Sequence, residues 1–116
     1  MKKYLAIYLS SPKASEKWNA LSESERKAKQ TEGIKAWYGW SEKNSKYVKD
    51  GGAPLGKTKR IEQTGISDTK NLMTAYTLVE AESHEAAAKL FSNHPHFTIF
   101  PGDSIEIMEC LDIPTR

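Results

Sequence analysis

The chain has a single cysteine, Cys110, in 116 residues. A disulfide within the chain is therefore excluded, which fits a reducing compartment. Cys110 lies in a strand-like run and reads as a buried structural thiol rather than a nucleophile. No apolar run is long enough to span a bilayer. The nearest approach, YLAIYL behind two lysines, imitates a signal peptide, but it is short of the roughly 7–15 apolar residues of a secretory core and runs straight into Ser-Ser-Pro-Lys. It reads as a first strand, and the protein as cytoplasmic. The Gly-Gly-Ala-Pro-Leu-Gly-Lys stretch lacks the G-x-x-x-x-G-K-[ST] spacing of a phosphate loop. Repeats and low-complexity tracts are also missing.

Aromatic residues are present in quantity. Three Trp, five Tyr and three Phe are too many large anchors for a disordered tail. The length fits one domain, residues 1–116, with a modest core. The net charge of +2 conceals an asymmetry: residues 1–60 hold 14 basic and 6 acidic side chains, residues 61–116 hold 3 and 9. The lysines are spread out and no aromatic-plus-Arg platform accompanies them. They read as a solvated helix facing an acidic second half, and no nucleic-acid partner is expected.

Hydrophobic periodicity gives the element order. KKYLAIYLSS alternates, with Leu5, Ile7 and Leu9 on one face and Tyr4, Ala6 and Tyr8 on the other. A helical region runs from about Ser15 to Ser45, with a break near Leu21. Ser22 is a good N-cap, with Glu23 and Glu25 favourable in the first turn. Ala28, Thr31, Ile34, Trp37, Tyr38 and Ser41 follow 3-and-4 spacing and form its expected packing face, with Trp40 offset. A second strand is expected from about Lys57 to Gln63, ISDTKN as a turn, and LMTAYTLVEA as the clearest strand. Ser83 caps a short helix that Pro95 ends, and DSIEIMECLDI closes the chain.

The order β-α-β-β-α-β is that of a ferredoxin-like α+β fold: a four-stranded antiparallel sheet with two helices on one face. The other face needs a cover, and a second copy is the natural one. Tyr4, Ala6, Tyr8, Met108 and Cys110 are the expected dimer surface.

VKDGGAPLG and TAYTLVEAESHEAAAKLFSNHPHFTIFPGDSIEIMEC resemble the YCII-related, or DGPF-domain, family. Asp50, Gly51, Gly52, Pro54 and Leu55 match its turn. Tyr76, Val79, Glu80, Ala81, Ser83 and Ala86 match its strand and helix start, and His94, Pro95, His96, Gly102, Ser104, Ile105 and Glu106 its tail. The resemblance implies a dimeric ferredoxin-like α+β barrel, a homodimer. In the family some members carry out small-molecule elimination or dehalogenation. The chain departs from the pattern at SDTKN, where Asp68 stands without the Gly-Pro-Phe that follows it in the family. It also has no histidine in the first helix to supply the family's His–Asp pair.

The candidate catalytic residues are His94, His96 and Asp50. Imidazoles two apart in an extended segment share a side, where one can serve as general base near neutral pH or both can hold a metal. A metal would want a third ligand, and none is indicated; no metal and no cofactor are expected. Asp50 before Gly51-Gly52 is either a turn residue or a carboxylate partner for a histidine. Trp37, Thr31 and Tyr76 are candidate ligand-binding residues, with the helix aromatics read either as packing or as the wall of a small-molecule pocket. Two functions stay open. One is a small cofactor-independent enzyme using His/Asp acid-base chemistry on a small organic molecule. The other is a non-catalytic dimeric module that binds a metabolite or a partner protein.

Overall fold

The computed structural model describes residues 1–114. Strand β1 (Lys2–Leu9) is followed by α1 (Pro12–Asn19) and α2 (Glu23–Lys43), then β2 (Val48–Asp50), β3 (Thr58–Glu62), β4 (Gly65–Thr69) and β5 (Met73–Ala81). Helices α3 (His84–Lys89) and α4 (Pro95–Thr98) and strand β6 (Ser104–Glu109) complete the chain. Helix starts follow capping chemistry. Ser11 and Ser83 accept from Ala14 N and Ala86 N, and Ser22 forms a reciprocal capping box with Glu25. Ser22 also separates α1 from α2, at the expected break.

Four strands form one antiparallel sheet in the order β2-β5-β1-β6, the ferredoxin-like arrangement. The second sheet strand is the three-residue β2, not Lys57–Gln63. Residues 58–69 form a separate two-stranded hairpin, β3-β4, inserted between β2 and β5, and ISDT is one of its strands rather than a turn. Gly52 makes the approach to β5 possible: its φ is +72°, and a Cβ there would collide with the Tyr76 carbonyl.

The sheet is the other way up from the expected dimer arrangement. Tyr4, Ala6, Tyr8, Ala75, Val79 and Ala81 are buried against α2 and α3, in one cluster with Trp37, Trp40, Ala87 and Phe91. The uncovered face carries Leu5, Ile7, Leu9, Tyr76, Leu78 and Met108. Tyr8 reaches the core because its hydroxyl is satisfied there by Thr77 and His94, a possibility that alternation alone does not reveal. Met108 stays on the open face, and Cys110, expected buried, is exposed.

Helix α2 is rotated from the expected face. Ile34 and Tyr38 are exposed, as are Ala28 and Thr31, while Gly33 is buried and Ala36, Trp37 and Trp40 turn inward. Gly33 admits the ring of Phe100, whose Cζ lies 2.3 Å from where a Cβ would sit. The close approach allowed by this glycine is thus filled by the chain itself. Trp40 also anchors the helix by donating from Nε1 to Leu90 O, 2.9 Å.

Candidate functional site: a caged histidine and a clamped one

The chain between α3 and β6 carries two of the three histidines, His94 and His96. Helix α3 ends before Leu90, well short of Pro95. Pro95 instead opens α4 as its first residue, where its missing N–H costs nothing. His94 is therefore an N-cap and not a helix C-terminal residue. Its Nδ1 accepts from the His96 backbone N–H, 3.0 Å. Both imidazoles pack on the Tyr8 ring, at centroid distances of 5.0 and 5.4 Å, but with different partners, because a helical turn rather than extended chain follows His94.

His94 is completely buried. Trp37, Trp40, Tyr8 and Phe91 surround its ring at centroid distances of 4.2, 4.6, 5.0 and 5.9 Å. Since Nδ1 accepts, the proton of the neutral ring sits on Nε2, which donates to Tyr8 Oη at 3.3 Å. Tyr8 then donates to Thr77 Oγ1, 2.8 Å, and Thr77 to Gly51 O, 3.3 Å. Every bond in this series points the same way, from the His96 amide to the Asp50-Gly51-Gly52 turn. Burial pushes the His94 pKa from the ordinary 6.5 to about 3, aided by the nearby His96. The same burial raises the pKa of the Tyr8 hydroxyl. Both stay neutral near pH 7, with no free proton site on the imidazole.

His96 is held differently. Its Nε2 lies 2.9 Å from Leu9 O and 3.0 Å from Ser104 O. Carbonyls only accept, so Nε2 carries the proton and the lone pair is on Nδ1. Among the described residues Nδ1 has no hydrogen-bond partner, and no unpartnered side-chain nitrogen or oxygen is fully buried; Nδ1 therefore keeps a small opening to solvent in a residue that is otherwise buried, 5% exposed. Desolvation lowers the His96 pKa, while the two carbonyls and the charge of Asp103 pull the other way. Gly102 lets the segment fold over this ring: a Cβ there would lie 2.4 Å from ring atoms and 2.3 Å from His96 O. The result is an oriented, neutral and largely buried imidazole with one basic nitrogen left without a partner among the described residues.

Of the residues expected at the site, the structure brings together His94, His96 and Trp37. Asp50 is exposed, and its Oδ1 accepts from Gly52 N, 2.8 Å, which is the turn role. Thr31 is exposed and donates to Lys27 O in its own helix. Tyr76 lies on the open sheet face, opposite to Thr77. Tyr8 and Thr77 were not expected here. The alternation of β1 and β5 placed Tyr8 and Thr77 on faces of their strands, but nothing local said which face was inside.

Two clefts are present elsewhere. One, of about 190 Å³, is lined by Met1, Lys46, Tyr47, Ala81, Glu82, Ala86 and Leu90; the other, about 590 Å³, follows the base of the hairpin past Lys57, Lys59, Asp68 and Lys70. Among the described residues no three His, Cys, Asp or Glu side chains gather as a metal site, and no helix is long and apolar enough to cross a membrane.

Strand order and the placement of the helices define a ferredoxin-like α+β protein. The same fold is found in 5-chloro-2-hydroxyhydroquinone dehydrochlorinase from Burkholderia phenoliruptrix, solved in complex with 2,5-dihydroxybenzoquinone. The match has a TM-score of 0.53 and 14% sequence identity, and covers 90% of this chain and 89% of that one. At that identity the likeness is one of fold. No family model and no curated protein matches the chain.

Proposed function

We propose that the chain is a small cofactor-independent enzyme that moves a proton on a small organic molecule, with His96 as the acid-base group. The observation that carries this is the double carbonyl clamp on Nε2, which leaves Nδ1 of the largely buried ring as a fixed base with no partner among the described residues. A neutral imidazole in a set orientation is what general-base catalysis near pH 7 requires. Nδ1 takes a proton from the substrate, and the exposed Asp103 carboxylate stabilises the imidazolium that forms. Where the substrate carries a leaving group beside the deprotonated carbon, the released electron pair expels it, completing an elimination. His94 has no free nitrogen for chemistry and acts as a positioning residue, accepting from the His96 amide. Asp50 holds its turn.

The active form is read as a homodimer through the open sheet face, where Leu5, Ile7, Leu78 and Met108 present an apolar strip without a cover from their own chain. A second reading, a non-catalytic dimeric binding module, is favoured by the position of the clefts, neither of which is lined by a histidine.

A screen of small hydroxylated and halogenated organic compounds tests the first reading, with turnover and thermal shift followed together. His96→Gln places an amide N–H2 near the Nε2 position, keeping a donor for Leu9 O and Ser104 O, but removes the base. Turnover lost in this variant, with ligand-induced stabilisation retained, is the expected result. Ligands that bind both proteins equally without ever being converted would leave the binding module instead.

A further inference from the structure

We propose that the β3-β4 hairpin is an exchanged arm, laid by each copy of the chain across the Asp103–Glu106 end of its partner's sheet. This rests on the homodimer reading above and extends it from a flat sheet contact to one in which the partner supplies a segment beside the His96 end.

The arm makes its ladder with itself and belongs to neither edge of the four-stranded sheet. Ile61 and Ile66 are directly paired across that ladder, yet are 77% and 70% exposed. A lone two-stranded hairpin is at best marginally stable in water. Its two ion pairs, Lys59–Asp68 and Arg60–Glu62, are too exposed to add much. The projection is visible in the dimensions. The chain measures 55 × 45 × 19 Å with a radius of gyration of 16.1 Å, against about 13 Å for a compact chain of this length.

Charge and topology select the occupant. Residues 57–70 carry Lys57, Lys59, Arg60 and Lys70 against Glu62 and Asp68, whereas residues 90–114 carry Asp103, Glu106, Glu109 and Asp112 and no Lys or Arg. Within one chain these regions lie apart, because the arm leaves from the β2 edge and the acidic stretch forms the β6 edge, with β5 and β1 between them. A two-fold axis running along the strands between two stacked sheets places the β2 edge of one copy over the β6 edge of the other. It also keeps matching strand ends together. The arm enters β5 at Met73, which pairs with Leu9, and Leu9 pairs with Ser104. The arm thus meets its partner at the Asp103–Ser104 end, where an apolar pair flanked by lysines faces an apolar sheet bordered by carboxylates.

The test is light scattering on the full chain across a concentration series, with Ile61→Asp/Ile66→Asp in the arm and Leu5→Asp on the sheet. Aromatic circular dichroism of each variant confirms that the Trp37–His94 cage is intact. The arm variant is expected to raise the dimer dissociation constant about a hundredfold, since two arms each lose an anchoring contact. Carbodiimide coupling of a mixed isotope-labelled dimer is expected to join arm lysines to Asp103 or Glu106 between chains. If Leu5→Asp dissociates the dimer while the arm variant does not, the arm proposal is overturned and the sheet dimer stands. A wild-type chain that is monomeric throughout the series overturns both.

Discussion

The His94 cage and the hairpin arm are held together by different means. Around His94, four aromatic rings exclude water and each nitrogen has a partner within the chain. In the arm, apolar side chains of good β-forming type are paired with each other but lie against nothing else. Both regions have regular backbone hydrogen bonding. What separates them is a second layer: α2 covers the cage, and no element of the same chain covers the arm. Burial against another layer, rather than the ladder, decides where stability resides.

The contrast can be broken most sharply by paired substitutions. His94→Ala empties the cage and strands the Tyr8 hydroxyl and the His96 amide, and is expected to cost about 3–5 kcal/mol in urea unfolding. Ile61→Thr in the arm is expected to change the stability of the separated monomer by no more than about 0.5 kcal/mol. Similar losses from both would erase the distinction.

Acid provides a second route into the cage. An unfolded histidine binds a proton near pH 6.5, whereas folded His94 resists until about 3. Between these values the unfolded state holds more protons, so stability is full above about pH 6.5 and declines as pH falls towards 3. The lowered His96 pKa acts in the same direction. Unfolding midpoints measured across that window should decline steadily; a flat profile would mean that water already reaches the His94 ring.

Two glycines sharpen the picture at smaller scale. Gly102→Ala drives a methyl into the His96 ring and should cost about 1–3 kcal/mol. Gly39→Ala meets nothing within 4 Å on the exposed side of α2 and should gain up to about 1 kcal/mol. Thermal melts of the two variants should move in opposite directions.

Much of this was legible in the residues. Alternation in β1 and β5 and the serine caps gave the element order and the ferredoxin-like class. Three features were not legible, each for a physical reason. β2 is three residues long, too short to show a period, so the better-patterned hairpin strand took its place. Both faces of β1 are apolar, so its register against the helices was undetermined until Tyr8 found Thr77. The packing face of α2 turns on Gly33, whose absence of a side chain carries no hydrophobic signal. At the site, the pair His94 and His96 was visible, but their division into one caged ring and one clamped ring depends on Pro95 starting a helical turn instead of ending one.

The notch at Gly33 has a consequence for sequence variation. Phe100 fits α2 only because position 33 lacks a side chain, so the two positions form one steric unit. An alanine at 33 should be tolerated only alongside a smaller residue at 100, and related chains should change the two together. Such a paired exchange would reset how closely the α4 turn carrying His96 is drawn onto the helix, altering the reach of its free nitrogen without touching His94 or His96.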